Sequence, residues 1–177
     1  MGPGPSASPD ACQQCRDESR PACERGHFPL MVVLCAPCWN VYANAMAAHD
    51  GADAAPVDGD ALDGIGPWGP PLCRRCDEPV RRLPTTYERW VDLEFDELPA
   101  KQVPSRYRWR VRPITPPTSR YVVGHVAIRI RGIEPLPGER VVPAHRLRCL
   151  SPEAQAEVEA AWRYDLARAA REPGESP

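Results

Sequence analysis

Cysteine spacing limits the folds open to this chain more than any other feature of its sequence. Six of the eight cysteines form three Cys-x-x-Cys pairs, at positions 12/15, 35/38 and 73/76. Two intervening residues let the backbone turn so that both sulfurs face one point, and Zn²⁺ prefers four such ligands in a tetrahedron. The first ten residues have neither a basic start nor an apolar core. We therefore expect a cytoplasmic protein whose cysteines bind metal rather than form disulfides.

The first two pairs predict one zinc site. Cys12 and Cys15 are separated from Cys35 and Cys38 by nineteen residues, a spacing typical of structural zinc. The apolar run at 28–34 predicts a hairpin arm, and apolar residues at helical spacing predict a helix after Cys38. This order of knuckle, hairpin, second knuckle and helix is similar to that of a treble-clef zinc finger.

Cys23 and His27 leave alternatives open for this site. They are either bystanders or substitutes for one of the Cys-x-x-Cys pairs. A third alternative is a cross-braced, RING-like finger with two zinc ions, although its ligand gaps fit poorly. Its ligands would be Cys12, Cys15, Cys23, His27, Cys35, Cys38, Cys73 and Cys76.

A second zinc site is predicted from Cys73 and Cys76 together with His145 and Cys149. A His and a Cys four residues apart in a helical or turn segment can face one ion. Such a site joins the ends of a segment of about seventy residues, so its binding free energy contributes directly to folding. The alternative is a Cys73/Cys76 redox pair beside an ordinary His145 and Cys149. We expect two zinc ions in the chain.

Proline and hydrophobic patterning predict a small zinc-stabilised α+β fold. The 23 prolines argue against a helical bundle or a doubly wound sheet. Alternation and β-branched residues predict antiparallel strands near 86–95, 106–112, 121–131 and 140–142. Ser151 and Pro152 begin a helix, which we expect to pack through Trp162 and Leu166. The predicted segments are a disordered tail (1–11), a zinc finger (12–49), an acidic Pro/Gly linker (50–72), a zinc-closed β unit (73–150) and a C-terminal helix (151–171).

Charge is unevenly distributed along the chain. Residues 73–150 carry sixteen Lys and Arg against nine acids, whereas the flanking segments are acidic. Arginines that alternate along a strand lie on one face and can follow phosphates. The candidate anion-binding residues are Arg106, Arg108, Arg110, Arg112, Arg129 and Arg131.

The β unit also resembles a known family. The sequence CRRC at 73–76 is followed by LPTTYERWVDLE at 83–94, VPSRYRWRV at 103–111 and VPAHRLRC at 142–149. Over residues 73–149 the chain is similar to a family of uncharacterised small domains from actinobacteria. The resemblance implies a zinc-stapled domain of unknown function and supplies no activity.

These features favour a non-enzymatic zinc protein that acts as a protein-interaction adaptor with an unknown partner. The alternative is a zinc module that binds nucleic acid through the arginines of the β unit. A zinc enzyme is a third alternative, but both sites can be closed by protein ligands, and the chain contains neither His-x-Glu nor His-Glu-x-x-His. No run of about 18 apolar residues occurs, so we expect no membrane segment.

Overall fold

The computed structural model describes residues 11–56, 69–114, 124–131 and 135–171. Residues 1–10 of the tail expected at 1–11, residues 57–68 of the linker expected at 50–72 and the start of the strand expected at 121–131 lie outside them. The described residues form a small α+β fold with antiparallel sheets and a C-terminal helix, so the predicted fold class is confirmed. Within these ranges, neither helix combines the length and the apolar character needed to cross a membrane.

The N-terminal finger consists of a hairpin and a helix. Strands β1 (Ala22–Arg25) and β2 (Val32–Cys35) pair antiparallel. Helix α1 (Ala36–Asp50) follows β2 directly, with a proline in its first turn, where a missing N–H costs nothing. It ends at Gly51, whose φ of 73° is accessible to glycine without strain. The buried face of α1 carries Trp39, Ala43 and Ala47, four residues apart.

A three-stranded sheet begins inside the segment expected to be a linker. Strand β3 (Asp53–Pro56) pairs with β5 (Arg89–Leu93), which also pairs with β4 (Arg81–Pro84). The predicted start of the linker at residue 50 is therefore wrong, because residues 53–56 form the edge strand of this sheet. The polar composition of this segment gave no signal for an edge strand.

A four-stranded antiparallel sheet contributes to the largest buried hydrophobic cluster, together with the three-stranded sheet and α2. Its strands are β6 (Leu98–Pro99), β7 (Arg108–Ile114), β8 (Gly124–Arg129) and β9 (Arg140–Pro143), in the order β6-β9-β7-β8. Trp109 lies in the centre of this core and is fully buried. The alternation of β7 thus places its large apolar residue inward.

Helix α2 (Pro152–Arg171) begins where its sequence predicts. The hydroxyl of Ser151 accepts a hydrogen bond of 3.2 Å from the N–H of Ala154 and caps the helix. The face that packs inward carries Ala154 and Ala161, whereas Leu166 is 68% exposed. The expected packing through Leu166 is therefore wrong, because the buried stripe consists of small residues that allow close approach.

The finger and the β unit are joined by the turn between β4 and β5. The Tyr87 side chain lies in the core of the finger, and Trp39 donates a hydrogen bond of 3.0 Å to the Glu88 carboxylate. Arg89 is 2% exposed and donates to the side-chain carbonyls of Asn44 (2.9 Å) and Asn40 (3.1 Å) on α1. These contacts make the two units parts of one packed structure.

Candidate metal centres

The four cysteines predicted for the first site converge in the structure. The sulfurs of Cys12, Cys15, Cys35 and Cys38 all lie within 4.8 Å of one another. Cys35 ends β2 and Cys38 lies in the first turn of α1, so the strand-to-helix junction supplies two ligands. The first knuckle is held against β2 by Gln13, whose N–H donates to the carbonyl of Val33 over 3.0 Å. This is a four-cysteine cluster that could hold a metal ion such as zinc.

The two Cys-x-x-Cys knuckles at 12–15 and 73–76 are built alike. In each, the N–H of the residue after the second cysteine donates over 2.9 Å to the carbonyl of the first. That residue is Arg16 in one knuckle and Asp77 in the other, and both have positive φ (56° and 57°). A residue in the left-handed backbone conformation at this point turns the chain away from the knuckle and leaves both sulfurs on one side.

Neighbouring groups perturb the thiols of the first cluster in opposite directions. Backbone N–H groups of Cys15 and Cys35 lower the pKa of the Cys12 thiol to about 6, and the Cys35 N–H lies 3.3 Å from the Cys12 sulfur. Hydrogen bonding to the Cys35 sulfur and burial raise the pKa of Cys38 to about 12. The Cys12 thiol therefore loses its proton at a lower pH than the Cys38 thiol, and the thiolate is the form that binds metal.

The second predicted quartet also converges. The ligand atoms of Cys73, Cys76, His145 and Cys149 lie within 4.8 Å of one another. The Cys76 sulfur is 3.2 Å from His145 Nε2. His145 begins a short 3₁₀ turn after β9, and its carbonyl accepts the N–H of Cys149 over 2.9 Å. The turn therefore places His145 and Cys149 on one side, and the resulting cluster of three cysteines and one histidine could hold a metal ion such as zinc.

Glu94 orients the histidine of this second cluster. A carboxylate oxygen of Glu94 lies 2.9 Å from His145 Nδ1. The Glu94 N–H donates over 3.0 Å to the carbonyl of Pro143, two residues before the histidine. A proton on Nδ1, donated to this carboxylate, would leave the Nε2 lone pair free to bind a metal ion shared with the three sulfurs. Carboxylates commonly fix metal-binding histidines in this way.

We expect Glu94→Gln to lower metal affinity at the second site by about 10- to 100-fold. The amide keeps nearly the same shape but carries no charge, which makes Nε2 a weaker ligand. Competition with a chromophoric chelator measures how readily each of the two sites releases its ion. Glu97→Gln, a change at a carboxylate that is 57% exposed near β6, is the matched control. Equal release from Glu94→Gln and the wild type would contradict this role.

The second cluster is tied to helix α2. Ser151, which caps the helix, places its hydroxyl 3.6 Å from the Cys149 sulfur. Burial raises the pKa of the Cys149 thiol, but hydrogen bonds to the N–H and hydroxyl of Ser151 and to the thiols of Cys76 and Cys73 together lower it below its usual value. Arg146 and Arg75 both approach Glu157 on the helix, at 3.2 and 3.8 Å. The cluster thus connects the knuckle, the last strand and α2.

Cys23 and His27 lie outside both clusters. Cys23 is an exposed residue of β1, and the His27 N–H donates to the Thr86 carbonyl over 2.9 Å. The first cluster takes all four ligands from the finger, and the second takes all four from the β unit. A cross-braced finger would instead need Cys23 and His27 as ligands, so the structure does not have that arrangement. Within the described ranges, no further group of three or more metal-ligating side chains converges.

The six candidate anion-binding arginines differ in their exposure and in their partners. Arg106 lies in a 3₁₀ turn before β7 and is exposed, as is Arg112. Arg108 is half-buried, and Arg110 pairs with Glu139 at 2.5 Å. That contact holds the pKa of Arg110 above, and that of Glu139 below, its usual range.

The remaining two arginines lie against the core or at the end of the sheet. Arg129 pairs in register with Trp109, and its guanidinium lies 5.8 Å from the centre of that ring. Its side chain is only 8% exposed. Arg131, just beyond β8, forms an ion pair with Asp50 at the end of α1. Both arginines therefore already have partners within the described part of the chain.

Sequence reasoning missed three residues that support either the second cluster or the junction between the finger and the β unit. Glu94 orients His145, Arg89 fastens the β unit to α1, and Asp50 is a fully buried carboxylate. Only Glu94 had a sequence signal, since it follows a strand within the region of resemblance. A buried Arg89 or Asp50 cannot be told from a surface charge without its distant partners.

One comparison with known proteins gives a match. The sequence profile of a family of unknown function (DUF6083) matches residues 60–131. This range overlaps the expected region of resemblance, 73–149, but ends before His145 and Cys149. Searches of curated proteins and of solved structures give no match.

Proposed function

We propose that this chain is a non-catalytic protein with two structural zinc ions that acts as a protein-interaction adaptor. The observation that carries the proposal is that each cluster brings together four protein ligands. Structural zinc sites are closed by four such ligands, whereas catalytic sites keep one position for water or substrate. Two closed sites that tie together the ends of a small fold stabilise a scaffold rather than provide a reaction centre.

The first cluster supports this assignment through its neighbours. Cys12, Cys35 and the aromatic ring of Trp39 belong to one buried group of side chains. A treble-clef-like finger of this size has too small a core to fold on apolar burial alone, so metal binding supplies folding free energy. Zinc is the ion we propose for both sites, since thiolate and imidazole ligands suit it.

An apolar groove on the finger is the contact surface that we propose for a protein partner. It has a volume of about 340 Å³ and is lined mainly by apolar side chains of β2 and α1. Val41 at its rim is 73% exposed. Phe28 and Met31, on the same finger, are 72% and 47% exposed. Exposed apolar residues of this number in so small a unit are typical of interaction surfaces.

Affinity capture with the zinc-loaded protein tests the adaptor role. Val41→Asp places a charge in the groove, and we expect it to lower recovery of the specific partner at least tenfold after nuclease treatment. Leu166→Asp is the matched control, because that residue of α2 is similarly exposed at 68%. A partner recovered equally by both variants would contradict the groove as the contact surface.

Nucleic acid binding is the second candidate. Its support is the excess of basic residues in 73–150 and the exposure of Arg106 and Arg112. The pairing of Arg110 with Glu139 and the burial of Arg129 argue against a continuous track for phosphates. Recovery that nuclease abolishes, together with affinity that falls steeply with salt, would favour this candidate over the adaptor.

A further inference from the structure

We propose that Cys15 is an oxidative modification site, where a hydroperoxide converts two ligands of the first cluster into a disulfide and so releases the metal ion. The inference rests on the proposed structural zinc and adds the regulation of that site. Cys15 is exposed, whereas Cys12 and Cys35 of the same cluster are 0% and 1% exposed. A metal-bound cysteine is a thiolate, which is the form that peroxide oxidises. Cys15 is therefore the ligand of this cluster that a small oxidant reaches first.

Cys35 is positioned to complete the disulfide, because its sulfur lies 3.7 Å from that of Cys15. In the first step the Cys15 thiolate attacks an oxygen of the hydroperoxide, the O–O bond breaks, and a sulfenic acid and an oxyanion form. In the second step the Cys35 thiolate attacks the Cys15 sulfur and displaces hydroxide, so an S–S bond forms. The two sulfurs lose two electrons in total, the peroxide gains both, and water protonates the two oxyanions.

Loss of these two thiolates affects the surface that we propose for a protein partner. Only two of the four ligands remain after oxidation, whereas a structural zinc site needs four. Cys38 lines the apolar groove of the finger, and so do Leu34 and Pro37, each of which is adjacent to a ligand in the sequence. The bound ion therefore supports the wall of the groove, and peroxide controls whether the finger can bind its partner.

The second cluster is protected by burial. Cys73, His145 and Cys149 are 6%, 5% and 3% exposed, and Cys76 is half-buried. A cavity of about 350 Å³ borders three of these ligands, but arginine side chains share its walls. Nearby cations and the replacement of one thiolate by a neutral imidazole leave less negative charge on the sulfurs, which makes them weaker nucleophiles. We therefore expect peroxide to distinguish the two clusters.

Cys23 is the competing target for peroxide. It is the eighth cysteine of the chain, is exposed and lies outside both clusters. It pairs in register with Leu34, the residue before Cys35, so it lies near the same site. Cys23→Ser separates oxidation of this thiol from oxidation of the cluster and is the matched control.

Titration of the full zinc-loaded chain with hydrogen peroxide tests the proposal. A chromophoric chelator should report the release of one zinc ion per chain at least about tenfold faster than the second. Peptide mapping by mass spectrometry should find Cys15 joined to Cys35, and dithiothreitol with added zinc should restore both ions. Cys23→Ser should release its first ion at the wild-type rate within about twofold. Cys15→Ser should show only the slow release, because its remaining ion belongs to the second cluster.

Three results would overturn the proposal. These are release of both ions at the same rate, a first disulfide that does not include Cys15, and a Cys23→Ser variant that resists peroxide. If Cys15→Ser does not fold, the order of disulfide formation in the wild type provides the same test. The zinc count before oxidation separates this proposal from the proposed function. A first cluster that binds no zinc contradicts both, whereas a loaded first cluster that peroxide leaves intact contradicts only the modification site.

Discussion

Cys149→Ser is expected to release one zinc ion and unfold the β unit. Cys149 is 3% exposed and shares a buried cluster with Cys73, Val80 and Ala154, so its sulfur joins the last turn to the first knuckle and to α2. Apparent binding free energies of structural zinc reach about 10–16 kcal/mol, which matches or exceeds the ~5–15 kcal/mol stability of a typical domain. Loss of one ligand removes much of that contribution. Far-ultraviolet circular dichroism and metal analysis measure both changes.

Cys23→Ser is the matched control for this prediction. It makes the same change at an exposed cysteine outside both clusters. The control should keep both metal ions and the wild-type melting temperature. A folded Cys149→Ser protein with an unchanged zinc count would show that the second quartet does not hold the β unit together.

Asp50→Ala is expected to destabilise the protein by about 3–5 kcal/mol, because it leaves Arg131 and Arg129 without their buried carboxylate. The Tyr87 hydroxyl loses its acceptor as well. Asp50 ends α1 whereas the arginines lie at the end of β8, so the change also weakens the junction of the finger and the β unit. Urea unfolding measures the loss as a lower midpoint.

Asp92→Ala provides the comparison for Asp50. Asp92 pairs with Arg82 at 2.7 Å, but both side chains are partly exposed, at 29% and 22%. Ion pairs of this kind contribute about 0–1 kcal/mol. Similar losses for the two variants would mean that the Asp50 ion pairs are worth no more than a surface pair.

The candidate metal ligands could be predicted because their signal is local. Two residues between cysteines suffice to form a knuckle, and the His-x-x-x-Cys turn is equally short. The pairing of knuckles into quartets followed from chain order, and the structure brings the same eight residues together. The spacing of the ligands could not predict the role of Glu94, because its contact with His145 joins residues 51 positions apart.

Strand alternation predicted where the strands lie but not the environment of Arg129. Alternation within β8 separates two faces without saying which one is buried. The register that pairs Arg129 with Trp109 fixes that choice. This register depends on how β7 pairs with β8, which the sequence of either strand alone does not show. A charged residue was therefore assigned to the solvent when it lies against the core.

The turn between β4 and β5 is the least predictable part of the fold. Its aromatic and charged residues resemble an ordinary strand, yet Glu88 has a φ of 55° and Arg89 is buried. Their partners, Trp39 and Asn44, lie on α1 in the other unit. The sequence therefore suggested two separate units where the structure has one packed assembly.

Native mass spectrometry of the full chain tests the central claim most directly. We predict two zinc ions per chain for the wild type and for Cys23→Ser. Cys15→Ser should retain one, since it breaks only the first quartet. A wild type that binds one zinc ion or none, or a Cys23→Ser variant that loses one, would contradict the account.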